Sequence, residues 1–409
     1  MRIQRLTTAD ELFESERVLA TAFLHPWDEK EAREKAESQA AGTAPVPEES
    51  WGIFDDADKL VCSISTLRHQ LAFGGQAIPV GEVHMVGSLP EGRGGGNVRT
   101  LMAEILRHFK QRGDQMAVLI PFSFSFYRKF GFELAARRMT QRVPIDQLGA
   151  FVCDYTVTRV SSERDAAIIR SLYDDFAAAR NLAELRGDAA WTYAGNGEWG
   201  ERDFFHRDSM RYTYVLWDEA GRAHAYVTFI FVTGEKGPFV GELKVSDLVY
   251  DSPEVFRAVL GFLYRMRAKA THVTFELMDD IDLGTLIPDC DQAERTVGGH
   301  VMARLLDVPG MLQKMPHPAG SSSYVVEVED SFMPENDGRY RVSFGAGKAT
   351  AVEKTEDGAD FSVTEETLCQ LVVGRIGLDD ARYRAGTVIQ CSKQVLEQVF
   401  VRRPVCLDL

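Results

Sequence analysis

Between Gly81 and Phe122 the chain changes its hydrophobic period three times in quick succession. Gly81 to Leu89 alternates as a strand does, and Arg93-Gly94-Gly95-Gly96-Asn97 follows as a glycine-rich loop. Val98, Leu101, Met102, Ile105 and Phe109 then keep helical spacing until Gly113, and Met116 to Phe122 is a short buried-type run. Strand, glycine loop, helix, strand is the order that sets a helix N-terminus over the end of a sheet, where unpaired N–H groups and the helix dipole favour an anion. In the loop, successive small residues let backbone N–H groups turn inward as a nest suited to a pyrophosphate. A triple glycine taken alone is more often just a flexible turn. Neither the dinucleotide Gly-x-Gly-x-x-Gly spacing nor the Lys-Ser/Thr of a phosphate loop is present.

The 409 residues exceed what one hydrophobic core usually organises, so two or three domains are expected. The first opens with a helix over Ala9 to Phe23 and strands at Trp51 to Asp55 and Leu60 to Phe73, and it takes in residues 1–153. A second mixed segment, residues 154–300, repeats that order: a helix over Glu163 to Arg180, strands at Tyr212 to Trp217, Ala223 to Val232 and Gly241 to Val249, and a helix from Pro253 to Lys269. Where the first copy has glycines this one has Val249-Tyr250-Asp251-Ser252-Pro253, with a negative charge where phosphates would sit, so it is expected to lack a cofactor site. Residues 301–409 read as short strands with turns followed by helices near Glu365 to Val373 and Ser392 to Val401, a small α+β domain. Pro316-His317-Pro318-Ala319-Gly320 is its most linker-like stretch.

Acidic residues outnumber basic ones by 61 to 46, a formal net charge of −15 that opposes nucleic acid and anionic membrane as partners. The same surplus attracts cationic ligands. Six cysteines lack any CxxC pair or histidine spacing suited to zinc, so neither a disulfide framework nor a metal is expected. No apolar run approaches the roughly 18 residues of a membrane span, and the polar start gives no signal peptide, so the cytoplasm is the expected location.

The segment Val86-Gly87-Ser88-Leu89-Pro90-Glu91-Gly92-Arg93-Gly94-Gly95-Gly96 resembles the acetyl-CoA motif of the GCN5-related N-acetyltransferases (GNAT), in its Arg-x-x-Gly-x-Gly/Ala form. Val98 replaces the last small residue of that pattern. Pro121-Phe122-Ser123-Phe124-Ser125-Phe126-Tyr127-Arg128-Lys129-Phe130-Gly131-Phe132 closely resembles the Eis (enhanced intracellular survival) subgroup, which tolerates a bulky residue at the place of Val98. The resemblance implies an α/β (α+β) chain of two tandem GNAT domains, the second degenerate, then a sterol-carrier-like domain. It also implies an acetyl-CoA-dependent N-acetyltransferase acting on a small-molecule amine, aminoglycoside-like or polyamine, and a homohexamer.

Residue by residue, the resemblance implies that backbone at Val86, Gly87 and Ser88, and at Arg93, Gly94, Gly95, Gly96, Asn97, Val98 and Arg99, holds acetyl-CoA, with Phe122 and Ser123 along its path. Tyr127 is then the general acid and the terminal carboxylate of Leu409 the general base. Attack on a thioester needs a neutral amine, hence a proton acceptor, and the departing thiolate gains from a donor in hydrogen-bond reach. Glu82 and His84 could face the acceptor amine, or be ordinary strand residues. Phe23, Trp27, Asp28 and Trp51 could form an aromatic and acidic wall for a cationic substrate, or belong to the core. Two further functions stand beside catalysis: a non-catalytic acyl-CoA sensor, and lipid carriage by the last domain.

Overall fold

Thr8 starts the first helix by accepting from the Glu11 N–H at 3.3 Å while the Glu11 carboxylate accepts from the Thr8 N–H at 3.1 Å, a capping box worth about 1 kcal/mol. In this computed structural model residues 2–44, 49–160, 163–191, 211–234, 237–278, 281–390 and 394–407 are described, and they form two bodies. Residues 2–135 and 300–403 make the first, and residues 136–299 with 404–407 the second.

The first body begins β1 (Arg2–Leu6), α1 (Ala9–Phe23), α2 (Glu29–Ala40), β2 (Glu49–Phe54), β3 (Leu60–Phe73), β4 (Gln76–Ser88), α3 (Asn97–Gln111), β5 (Met116–Leu119), α4 (Phe124–Tyr127) and the start of β6 (Glu133–Pro144). Strands β1 to β4 pair antiparallel in sequence order, and β5 lies parallel to β4. Helix α3 buries Leu101, Met102, Ile105, Leu106 and Phe109 as one stripe, each side chain contributing on the order of 1.5–3 kcal/mol. The helix lies close because β4 offers Gly81 beneath it: a Cβ there would stand 2.3 Å from the Phe109 ring.

The second body contains β7 (Thr156–Arg159), α5 (Glu163–Ala178), β8 (Arg211–Trp217), β9 (Ala223–Gly234), β10 (Gly237–Tyr250), α6 (Pro253–Tyr264), β11 (Ala270–Met278) and the start of β12 (Glu294–Leu305). Its strands run β6-β11-β10-β9-β8-β7, with β10 and β11 parallel. The helix expected to reach Lys269 ends at Tyr264. The residues from Val301, read in the sequence as the start of the last domain, are the end of β12. There Met302 to Leu305 pair antiparallel with β5 of the first body.

The remainder of the first body is α7 (Val308–Lys314), β13 (Ser322–Glu329), β14 (Gly338–Gly345), β15 (Lys348–Lys354), β16 (Phe361–Thr364), α8 (Glu365–Val372), α9 (Leu378–Ala381), β17 (Val388–Ile389) and α10 (Gln394–Val399). Its sheet runs β15-β14-β13-β16-β17. Pro316 to Gly320 is a loop between α7 and β13, tied back by the His317 N–H to the Gly347 carbonyl at 3.0 Å. The interior is filled by rings: Phe361 and Phe400 lie 5.2 Å apart, His317 and Phe344 5.1 Å.

Candidate active site

Strands β4 and β5 stay paired only from Val80↔Met116 to Glu82↔Val118 and then part. Beyond that point β4 keeps β3 on one side, where Ile64 meets Val86 and Cys62 meets Ser88, and on the other it has no strand partner among the described residues. The backbone groups of Val86 to Ser88 on that edge are therefore available to a ligand. Gly87 has a packing role. A Cβ there would come within 2.8 Å of Leu19, so the glycine lets the last turn of α1 cross β4 and bring Phe23 to the same place.

The loop after β4 turns on Gly94 at φ +83° and Gly96 at φ +81°, with nothing within 4 Å of a Cβ built at either. Gly96 is the N-cap of α3 and has no side chain to satisfy the first-turn N–H groups, which leaves an anion as their natural partner. Asn97 braces the loop by donating to the Gly92 carbonyl at 3.2 Å, and Arg93 donates to the Ser88 and Ala22 carbonyls at 3.4 Å. In the second body the matching helix α6 is capped by Ser252, which accepts from the Val255 N–H at 3.3 Å, while Asp251 holds His224 at 2.6 Å. The helix start left uncapped in the first copy thus carries a side-chain cap in the repeat, with a carboxylate next to it.

A cavity of about 790 Å³ lies at the α3 N-terminus, lined by Phe23, Val86, Ser88, the glycine loop, Val98, Phe122, Phe126 and Phe130. Arg93, Arg99 and Lys129 line it and, among the described residues, no carboxylate does, which matches an anionic, partly apolar ligand. The open glycines, the uncapped helix and this lining all fit acetyl-CoA. Val98 packs on the core of the first body and also lines the cavity. Phe122 is 70% exposed at the mouth.

Tyr127 ends α4, in edge contact with Phe122 at 5.6 Å and Phe126 at 5.2 Å, two rings that line the cavity. It is buried, and burial pushes its phenol up to about 12. Its hydroxyl makes no hydrogen bond with any described residue. Ser123, read as lying along the cofactor's path, caps α4 by accepting from the Phe126 N–H at 3.4 Å. Leu409 lies outside the described residues.

Glu82, at the last paired position before the strands part, is 4% exposed. Burial pushes its carboxyl up, but hydrogen bonds from His69 at 2.8 Å and His84 at 3.2 Å, with their charge, outweigh it and hold the group at about 2. His84 is the extra residue of a β-bulge, because Ser65 pairs with Met85 and Thr66 with Val83. The sequence named both residues but gave no sign of His69, which arrives from the neighbouring strand.

The four residues of the expected aromatic wall have separate surroundings. Phe23 lines the cavity, Trp27 packs edge-on against Phe13 at 5.4 Å, and Asp28 caps α2 by accepting from the Glu31 N–H at 3.0 Å. Trp51 lies 4.9 Å from His108 on the core of the first body, because its face of β2 is covered by α3.

Residues 3–135 match an acetyltransferase (GNAT) domain, residues 183–305 a second acetyltransferase (GNAT) domain model, and residues 308–407 a sterol carrier protein domain. An uncharacterized N-acetyltransferase of Streptomyces avermitilis is 25% identical over 361 residues, 83% of this chain and 82% of that one. Among solved structures, a probable N-acyltransferase of Enterococcus faecalis V583 aligns with TM-score 0.82 at 21% identity, over 98% of this chain and 97% of that one. Eis1 of Mycobacterium abscessus aligns with TM-score 0.80 at 19% identity, over 99% and 98%. The fold is thus two GNAT domains followed by a sterol-carrier domain, and its likeness to Eis extends over the whole chain.

Proposed function

We propose that this chain, an N-acetyltransferase of the GNAT type, moves an acetyl group from acetyl-CoA to a primary amine of a small cationic molecule, aminoglycoside-like or polyamine, by direct attack in a ternary complex. The observation that carries the reading is the open N-terminus of α3, uncapped by any side chain and facing a cavity lined by three cationic residues and by the rings of Phe122 and Phe126, against which Tyr127 packs. A carboxylate takes one ammonium proton to free the amine, whose nitrogen bonds to the thioester carbonyl carbon; the carbon–sulfur bond breaks, the departing thiolate takes a proton from Tyr127, and the second nitrogen proton restores the phenol. A phenol raised to about 12 still carries that proton at neutral pH.

We assign the base to the terminal carboxylate of Leu409. In support, the residues leading to it are packed: Val405 and Leu407 are buried, and the Cys406 N–H donates to the Asn181 carbonyl at 2.8 Å. The cationic acceptor class draws support from the net charge of −15 and from an ionised Glu82 beside the point where β4 and β5 part. A homohexamer is the state the resemblance to Eis implies, the acidic surplus argues against nucleic acid and anionic membrane as partners, and we read the location as cytoplasmic from the polar start of the sequence; no helix among the described residues is long and apolar enough to cross a membrane.

The test is thiol release from acetyl-CoA with a panel of amines, with the products weighed by mass spectrometry. Acetylated polyamine or aminoglycoside is the expected product. Tight acetyl-CoA binding with no amine acetylated would make the chain an acyl-CoA sensor instead. The ring-filled interior of the last domain gives lipid carriage no support.

A further inference from the structure

A fully buried arginine stands behind the Tyr127 turn. Arg304, on β12 beside Ala117, donates from Nη1 to the Phe130 carbonyl at 2.5 Å and from Nη2 to Asp330 at 2.6 Å. Asp330 belongs to the sterol-carrier domain and is itself fixed: it accepts from the Met333 N–H at 2.8 Å and from Asn336 at 3.1 Å. Gly131, at φ +80°, is the residue that lets this approach happen, since a Cβ there would lie 2.7 Å from Arg304 Nη1.

The same turn is held a second time. Arg128, next to Tyr127, forms a fork on Glu133 at 2.8 and 3.0 Å, and Glu133 also accepts from Arg384 of the sterol-carrier domain at 2.7 Å. Arg384 is anchored in turn on Thr367 at 3.0 Å.

Burying a guanidinium is costly, and a well-packed apolar side chain of similar size generally serves stability as well or better. What an apolar residue cannot supply is two directed bonds from one rigid plane. Here they join a backbone carbonyl three residues after Tyr127 to a carboxylate of another domain. With that carbonyl fixed, the chain reverses at Gly131 and the Phe132 N–H comes back to the Tyr127 carbonyl at 3.4 Å.

We propose that Arg304 and Arg384 are positioning residues for the Tyr127 hydroxyl, and that through them the sterol-carrier domain serves as the rear support of the acetyltransferase site. The inference rests on Tyr127 being the acid. A displacement of about 1 Å at a reacting group costs up to roughly 100-fold in rate without requiring loss of binding.

The experiment is a double-mutant cycle on the full chain, with kcat read by thiol release and acetyl-CoA affinity by calorimetry. Arg304→Lys keeps the charge and loses the fork; it is expected to lower kcat about tenfold or more with acetyl-CoA Kd unchanged, and to have no further effect in a Tyr127→Phe background. Equal losses in both backgrounds, or an undiminished kcat in Arg304→Lys, overturn the proposal. Should Arg304→Lys fail to fold, Arg384→Gln carries the test, since it leaves the Arg128–Glu133 fork in place; the same non-additive loss is expected, and an additive one overturns the proposal. Tyr127→Phe alone separates the two readings. If it retains full kcat, the acid assignment falls and this inference with it; if it loses kcat while both arginine variants keep theirs, only this inference falls.

Discussion

His69 of β3 closes on Glu82 of β4 at 2.8 Å, inside the sheet and at the last position where β4 still has β5 beside it. The folded pKa of Glu82, about 2, lies below the ordinary 4.5, so its ionised form stabilises the fold above pH 4.5, and this contribution is lost as pH falls from 4.5 towards 2. Glu82→Gln is expected to cost about 1–3 kcal/mol at neutral pH and to remove that part of the acid dependence. Urea unfolding at neutral and acid pH checks both.

Glu365 shows the opposite sign. It is fully buried with Oε1 accepting from the Leu305 N–H at 2.6 Å, and burial pushes its carboxyl well above 4.5 despite the nearby Arg304 charge. The protonated form stabilises the fold fully below 4.5, and that stability is lost as pH rises through the raised folded value. Glu365→Gln keeps the acceptor and has no proton to lose. The variant's denaturant midpoint should therefore lack the decline that the parent shows as pH rises above 4.5.

Gly96→Ala places a Cβ at φ +81° in open space, so the fold loses only the backbone cost, about 1–2 kcal/mol. The new methyl group stands at the head of α3, where the anionic donor would bind. Acetyl-CoA affinity should fall about tenfold or more, equivalent to about 1.4 kcal/mol, as read by calorimetry.

Phe122 and Phe109 should separate binding from stability. Phe122, 70% exposed at the cavity mouth, should change stability by no more than about 0.5 kcal/mol on replacement by alanine while the KM for acetyl-CoA rises several-fold. Phe109→Ala, on the buried face of α3 against Gly81, should cost about 3–5 kcal/mol. Denaturation and steady-state kinetics on the two variants check the contrast.

What could be read in the sequence was what lies close along the chain. The glycine loop and the α3 stripe declare themselves because left-handed backbone and helical burial are local demands, and the repeat was visible because strands and helices recur in the same order. Helix α2 was missed because it buries only Ala32 and Ala36, although Asp28 was there to cap it. Glu82 was read without His69 because the partner comes from another strand. Arg304 had left a signal, one charge inside Val301-Met302-Ala303-Arg304-Leu305-Leu306, but its meaning depends on Phe130 and Asp330, both far from it in sequence. The grouping of Phe23, Trp27, Asp28 and Trp51 was read from residue type alone, whereas what each one packs on, the cavity for Phe23, Phe13 for Trp27, the start of α2 for Asp28 and His108 for Trp51, is set by the fold.

The measurement that tests the account most directly is kcat and acetyl-CoA Kd for Tyr127→Phe against the parent chain. The substitution removes one hydroxyl that bonds no described residue, so the fold and the Kd should be unchanged while kcat falls by about 10²–10⁴-fold. An undiminished kcat would contradict the assignment of Tyr127 as the proton donor.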